Sequence, residues 1–234
     1  MAIKAVLFDK DGTLIDSNGT WVPFYKSILE TERGLGPEEV EAKMVAAGFN
    51  PVTKTFRAGS ILAGGTTRQL VEMWWDHETP DMHAVLTKRF NNDFAPLALQ
   101  HMMPLMDLVP VLDSLKALGM KLGIATNDGE TSALNHMRAL KVDHYFAAII
   151  GADSVAVPKP SGQMVQLFAE TAGLAAHELA MVGDNIHDLE EARNGGAGLA
   201  IGVLTGNGAR EDLEHHADHV VASVADLPHF FGSL

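Results

Sequence analysis

The sequence contains no cysteine, and this absence excludes disulfide bonds, thiolate metal sites and cysteine nucleophiles. A chain without disulfides fits a reducing compartment. The sequence also has no long apolar run. The N-terminal stretch MAIKAVLFDKDG is too short for a signal peptide and is interrupted by charge, and no later segment approaches the length of a membrane span. We therefore expect a cytoplasmic protein that has no membrane partner.

Positive charge is also scarce. Lysine and arginine number 17 against 30 aspartates and glutamates, which gives a formal net charge of -13. Such a molecule repels phosphate backbones at long range, so we do not expect a nucleic acid as a partner. The same field repels a small anionic substrate. An enzyme that acts on one therefore needs a cation or a metal ion within its site.

Short apolar runs that end in small or acidic residues recur along the 234-residue chain. Six of them are predicted strands, buried on both faces, at residues 4–9, 121–128, 147–151, 179–184, 198–203 and 218–221. Helical segments lie between them, and most of these close with a glycine. The alternation predicts an α/β fold with a Rossmann-like, doubly wound parallel sheet.

One long interval breaks this alternation. From residue 17 to residue 99 the pattern is helical or irregular, and EEVEAKMVAAG, GTTRQLVEMWWDH and DMHAVLTKRFNNDF are predicted helices. We interpret this interval as a small α-helical cap inserted after the first strand. The predicted domains are therefore a Rossmann-like core of residues 1–16 and 100–234 and a cap of residues 17–99. The tryptophan pair of the cap is assigned to packing, with a pocket lining as the alternative.

Chemically active side chains follow several of the predicted strands. In an open parallel sheet, ligands bind beyond the carboxyl ends of the strands. The residues at these positions are Asp9, Asp11, Gly12 and Thr13 after the first strand, Thr126 and Asn127 after the second, Lys159 after the third, and Asp184 and Asp188 after the fourth. Carboxylates, a hydroxyl group and a lysine are therefore predicted to meet from separate loops.

This set of groups suits phosphoryl transfer. A carboxylate can attack phosphorus and carry the group as an acyl phosphate, and Asp9 is placed for that role. Asp11 is placed to protonate the leaving oxygen and then to take a proton from the hydrolytic water. Mg²⁺ offsets the charge of the phosphate and of the crowded carboxylates. The phosphoryl oxygens are expected to bind donors from the loops at Gly12, Thr126, Asn127 and Lys159.

The order of these motifs resembles that of the haloacid dehalogenase superfamily, in its phosphatase branch. DKDGT matches the family's D-x-D-G-T, ATN its hydroxyl motif, Lys159 its lysine, and GDNIHD its G-D-x-x-x-D. The resemblance covers residues 1–16 and 100–234, and the tail ADHVVASVADLP is similar to that of phosphoglycolate phosphatases. The cap matches the family's small cap by position and not by motif.

The resemblance implies a role for each motif residue. It implies Asp9 as nucleophile and Mg²⁺ ligand, Asp11 as an acid–base group that also ligates through its backbone carbonyl, and Asp184 as a metal ligand. It also implies that Thr126 and Lys159 bind the phosphate. Asp188 is then expected either to support the metal through a water molecule or to hold Lys159.

Some positions lie outside the family pattern. Lys10 replaces the apolar residue usual between the two aspartates, and we assign it no role. Gly162 stands where many phosphoglycolate phosphatases have a further proline.

Arg57 in the cap is a candidate contact for a substrate anion, with an exposed loop arginine as the alternative. The histidines of HHADH, residues 215–219, are assigned to a surface turn because no second cluster supplies metal ligands.

We predict a Mg²⁺-dependent phosphatase that hydrolyses a small phosphomonoester, phosphoglycolate-like or a sugar phosphate, through an aspartyl-phosphate. The expected partner is thus a small phosphorylated metabolite, and the sequence carries no signal for oligomeric state. A sugar phosphomutase uses the same two aspartates, so that hypothesis stays open. A phospho-accepting signalling receiver predicts neither D-x-D-G-T nor so long an insertion. A phosphonate hydrolase needs a cap lysine, for which the candidates are Lys26, Lys43, Lys54 and Lys88.

Overall fold

Six parallel strands form the main sheet in the computed structural model, which describes residues 2–233. Two further strands, β2 and β3, form a separate antiparallel hairpin. In chain order, the strands are β1 Ala5–Phe8, β2 Phe49–Asn50, β3 Thr55–Phe56, β4 Lys121–Ala125, β5 Phe146–Ile150, β6 Leu179–Gly183, β7 Leu199–Val203 and β8 His219–Val221. Their order across the main sheet is β5-β4-β1-β6-β7-β8. The predicted α/β fold with a parallel sheet is confirmed.

Helices cover both faces of this sheet. In chain order they are α1 Ser17–Arg33, α2 Pro37–Ala47, α3 Ile61–Gly64, α4 Thr67–Trp74, α5 Pro80–Arg89, α6 Ala95–Ala98, α7 Val109–Ala117, α8 Glu130–Ala139, α9 Gln163–Ala172, α10 Ile186–Gly195, α11 Arg210–His216 and α12 Leu227–Gly232. The segment from α1 to α6 lies between β1 and β4, and we call it the helical insert (residues 17–98). Within residues 2–233, every helix is too short or too polar to cross a membrane.

The central strand β1 explains why the sheet is covered on both sides. All four of its side chains are completely buried, and they point alternately to the two faces. Val6 and Phe8 join a hydrophobic cluster with α7, α8 and α12, whereas Ala5 and Leu7 join a second cluster with α9, α10 and α11. A strand that is buried on both faces must be apolar throughout, as this one is.

The strand register aligns the ends of the three central strands. Phe8 of β1 lies beside Ile124 of β4 and beside Val182 of β6. The polar residues that follow these strands therefore leave the sheet at the same level. This alignment places the loops after β1, β4 and β6 around one point at the carboxyl edge.

The helical insert has its own hydrophobic cluster, made only of residues between Trp21 and Ala98. Trp74 is completely buried and Trp75 is nearly so, which agrees with the packing role expected of this pair. The sequence did not predict α1, because Gly19 and Pro23 interrupt its helical pattern. The Asp16 side chain caps the helix at the Gly19 amide, and aromatic packing in the cluster holds it.

Gly123 in β4 permits close packing of α9 on the sheet. A Cβ atom at this position would lie 2.4 Å from the Phe168 ring. We expect Gly123→Ala to lower the free energy of unfolding by about 1–3 kcal/mol, because the Phe168 ring must move within a packed core. Urea unfolding measures the difference. The control is Gly232→Ala, where the new methyl group meets no atom within 4 Å; equal stability of the two variants would contradict the packing argument.

Candidate active site

A cavity opens where the loops after β1, β4 and β6 face the helical insert. Its empty volume is ≈ 570 Å³, part of which is open to solvent. The core supplies the charged lining residues Asp9, Asp11, Asp128, Lys159, Asp184 and Asp188. The insert supplies aromatic, hydroxyl and small residues, among them Ser17, Trp21, Tyr25, Gly64 and Thr67. The cavity is therefore strongly acidic on its core side, and the described insert residues that line it carry no charge.

A buried ion-pair cluster lies on the floor of this cavity. The Lys159 ammonium contacts Asp9 Oδ1 at 2.7 Å and Asp188 Oδ1 at 2.6 Å. All three side chains are buried. Burial lowers the pKa of Lys159, but the carboxylates of Asp188 and Asp9 outweigh this effect and hold the pKa above the usual lysine value. Nζ is therefore positively charged and keeps a fixed position beside Asp9.

Asp184 brings a third carboxylate to the same place. Ligand oxygens of Asp9, Asp184 and Asp188 lie within 4.8 Å of one another. Burial and the neighbouring carboxylates raise the pKa of Asp9 to about 7, although Lys159 acts in the opposite direction. Burial, Asp9 and Asp188 likewise raise the pKa of Asp184 well above its usual value. One lysine leaves negative charge in excess, so the donor set fits a hard divalent cation such as Mg²⁺, which prefers oxygen ligands.

The loop after β4 holds Thr126 and Asn127 beside this cluster. Thr126 is 1% exposed, lines the cavity, and accepts a hydrogen bond from the Asp128 amide at 3.1 Å through its hydroxyl oxygen. The Asn127 side chain accepts from the Lys159 amide at 3.2 Å and donates to the Gly64 carbonyl at 2.7 Å. Asn127 thus joins the connection between β5 and α9, residues 151–162, to the helical insert. We call this connection the lysine loop. The expected role of Asn127 at the phosphate did not include this contact.

Glu191 supports the lysine loop from α10, and the sequence analysis did not find it. Its completely buried carboxylate accepts hydrogen bonds from the amides of Gly162 at 2.6 Å and Met164 at 2.8 Å. These are amides at the start of α9, which have no partner within the helix. The available signal was the spacing from Asp188, because residues three apart share one face of a helix.

Gly12 is required in the site for steric reasons. Its amide donates to the Ile15 carbonyl at 2.8 Å, so the group expected to bind phosphate is used within the turn. Its φ angle is 88°, and a Cβ atom there would lie 2.7 Å from the Asp184 carboxyl group. Gly12 is also outside the cavity lining. Glycine at this position lets the turn pass beneath Asp184.

Asp11 lines the cavity next to the nucleophile candidate. Its Oδ1 accepts a hydrogen bond from Trp21 Nε1 at 2.5 Å, and its Oδ2 lies 2.8 Å from Lys10 Nζ. Lys10 is completely buried, although the sequence analysis assigned it no role. Its charge could have indicated a role, because a lysine that directly follows a buried strand and lies between two aspartates has carboxylates within reach.

Arg57 is not brought into the cavity. The residue is exposed, and its guanidinium donates to the Val45 carbonyl at 3.1 Å. The candidate lysines for a Schiff base, namely Lys26, Lys43, Lys54 and Lys88, also lie outside the cavity lining. Among the described residues, the histidines at 215–219 are not part of any group with metal-ligand spacing. His187 is half-buried and lines the cavity, where its Nδ1 lies 3.0 Å from Asn185 Oδ1.

Comparison with known proteins establishes the family. Residues 6–201 match the family model described as haloacid dehalogenase-like hydrolase. The chain therefore belongs to the haloacid dehalogenase-like hydrolases, and the resemblance inferred from the four motifs is confirmed at the level of the family.

Named relatives extend along almost the whole chain. A pyrophosphatase PpaX from Bacillus pumilus (strain SAFR-032) is 27% identical over 228 residues, which is 96% of this chain and 94% of that protein. A phosphoglycolate phosphatase from Escherichia coli (strain K12) is 26% identical over 230 residues, 96% and 91% of the two chains. The crystal structure of a HAD phosphatase from Thermococcus onnurineus is 22% identical, covers 98% of both chains and superposes with a TM-score of 0.71, which supports the fold.

The acidic cluster predicts stabilisation by magnesium. We expect Mg²⁺ to raise the free energy of unfolding by about 2.7 kcal/mol at a concentration 100 times its Kd, because the cation binds the folded carboxylates only. Asp184→Asn is expected to remove most of this increase. Thermal unfolding with Mg²⁺ and with excess chelator gives the readout. The exposed Asp212→Asn is the matched control, and equal responses of the two variants would contradict a cation at Asp184.

Proposed function

We propose that this protein is a Mg²⁺-dependent phosphatase that hydrolyses a small phosphomonoester through an aspartyl-phosphate at Asp9. The observation that carries the proposal is the contact of the buried Asp9 carboxylate with Lys159 at 2.7 Å, next to Asp184 and Asp188. A carboxyl nucleophile beside a fixed cation and further acidic ligands suits phosphoryl transfer. The names of the relatives, a phosphoglycolate phosphatase and a pyrophosphatase, agree with this chemistry.

In the first step, an Asp9 oxygen bonds to phosphorus while the bond from phosphorus to the ester oxygen breaks. The Lys159 ammonium and the Thr126 hydroxyl donate to the phosphoryl oxygens, where negative charge concentrates. Asp11 gives its proton to the leaving oxygen, so the alcohol departs neutral. Asp9, Asp184 and the Asp11 carbonyl would hold Mg²⁺, with Asp188 close by, and the bound cation would offset the charge of the carboxylates and the phosphate.

In the second step, water attacks phosphorus and the bond to Asp9 breaks. Asp11, now a carboxylate, takes a proton from this water, which returns it to its starting state and releases inorganic phosphate. The helical insert limits the entry of other water, because Asn127 binds the Gly64 carbonyl at 2.7 Å and Asn185 the Ala63 carbonyl at 3.4 Å. Both carbonyls belong to α3, which lines the cavity, and these contacts support a position of the insert above the reacting groups.

The test is phosphate release from a panel of phosphoglycolate, pyrophosphate and several sugar phosphates, with Mg²⁺ and with excess chelator. We expect strong, metal-dependent release of phosphate from at least one phosphomonoester. Pyrophosphate as the only substrate would contradict the phosphomonoester class. Transfer of the phosphoryl group between sugar positions without release of phosphate would identify a mutase instead.

The nucleophile assignment makes a direct prediction. Asp9→Asn is expected to reduce turnover by at least roughly 10³-fold, because an amide does not attack phosphorus, while the fold is retained. Acid-quenched wild-type enzyme is expected to carry a phosphate adduct on the peptide that contains Asp9, detected by mass spectrometry. Asp93→Asn, an exposed change in the insert, is the control. An adduct on another residue, or an active Asp9→Asn enzyme, would overturn the assignment.

A further inference from the structure

Lys10 is the most completely enclosed cation next to the site. Its ammonium lies 2.8 Å from Asp11 Oδ2, 3.0 Å from Asp128 Oδ2 and 3.1 Å from His136 Nδ1. It also lies 4.9 Å from the centre of the Trp21 ring, on its face. Burial of an ammonium group is costly unless charges and hydrogen bonds surround it, as they do here. The position of Lys10 is therefore tightly determined by its neighbours.

His136 acts as a neutral acceptor in this cluster. A lysine ammonium has donors only, so Nδ1 must accept and any ring proton must be on Nε2. Burial, together with the charge of Lys10, lowers the pKa of His136 to about 3, which is consistent with a neutral ring. Among the described residues, Lys10 is therefore the cation that faces the acidic side chains of Asp11 and Asp128.

Asp11 is held from two different parts of the molecule. Lys10 belongs to the core loop after β1, whereas Trp21 belongs to α1 of the helical insert. The Trp21 ring is itself fixed, stacked on Tyr25 at 5.4 Å between ring centres and edge-on to His136 at 5.8 Å. Each carboxyl oxygen of Asp11 uses one lone pair for its contact and keeps another, and Asp11 lines the cavity. Asp11 can thus exchange a proton with a substrate while both donors stay in place.

We propose that Lys10 and Trp21 are positioning residues that align the Asp11 carboxyl group with the leaving oxygen, so that acid–base catalysis depends on the contact of α1 with the core. This inference rests on the function proposed above. Proton transfer needs the donor within hydrogen-bond reach of the reacting oxygen, and small errors in alignment are costly. Without these two contacts, the Asp11 side chain is free to turn about its own torsions.

Two substrates with different leaving groups separate alignment from general support of the fold. An alkyl phosphomonoester, the best one in the panel, needs a proton on its departing oxygen. Acetyl phosphate releases acetate, a stable anion that needs no proton. The constant kcat/KM reports the steps up to departure of the leaving group, provided that aspartyl-phosphate formation is irreversible. Therefore kcat/KM depends on proton transfer from Asp11 for the alkyl ester but not for acetyl phosphate.

Trp21→Phe is the mild variant, because it removes the N–H donor and keeps an aromatic ring over Lys10. We expect it to lower kcat/KM for the alkyl ester by about 10-fold and Lys10→Met to lower it by about 100-fold, within the usual range of general acid catalysis. For acetyl phosphate, both variants are expected to stay within about 3-fold of wild type, since no proton is transferred. Trp75→Phe is the matched control, a buried insert tryptophan outside the cavity lining, and is expected to change neither constant.

Other results would contradict either the positioning role or the proposed function. Equal losses with both substrates, or no loss with either, would overturn the positioning role. Hydrolysis of neither substrate by the wild-type enzyme would overturn the proposed function itself. If Lys10→Met does not fold, because Asp11 and Asp128 are left without their cation, Trp21→Phe still gives the decisive comparison.

Discussion

The ammonium group of Lys159 between Asp9 and Asp188 is the interaction on which the acidic edge of the sheet depends. Three carboxylates are buried within a few ångströms there. Burial and the neighbouring carboxylates raise the pKa of Asp9 and of Asp184, with Asp188 contributing to both. Lys159 offsets part of this repulsion, and its loop is held in turn by Glu191. A positive charge that is fixed before substrate arrives needs no rearrangement when phosphate binds, which is the condition for strong electrostatic catalysis.

A second buried lysine, Lys10, repeats this arrangement at the loop after β1. Lys10 balances Asp11 and Asp128, as Lys159 balances Asp9 and Asp188. The two lysines divide these carboxylates into two pairs. Under the function proposed above, the pair at Lys159 contains the nucleophile and the pair at Lys10 contains the acid–base group. The helical insert contacts the Lys10 pair through Trp21 and the lysine loop through Asn127, so its position is linked by direct contacts to both pairs.

Much of the core was predictable because local pattern and tertiary role coincide there. A strand such as AVLF is buried on both faces, so its uninterrupted apolar run is both the local signal and the packing requirement. The catalytic candidates were found because they stand directly after such strands. The helix α1 was missed because Gly19 and Pro23 weaken its local pattern, while distant aromatic contacts supply its stability. Arg57 was proposed from its type and loop alone, and neither reveals that its guanidinium turns to the Val45 carbonyl.

The sequence by itself determined the fold class, the family and the residues at the carboxyl edge of the sheet, because strand periodicity and motif spacing are local properties that survive without coordinates. Only the tertiary structure decided what Lys10, Glu191 and Gly12 do. Their effects arise from groups distant in sequence: Lys10 meets His136 126 positions away, and Gly12 lies beneath Asp184. Such contacts depend on how whole elements pack against one another, and a buried lysine and an exposed one look the same when written as a letter.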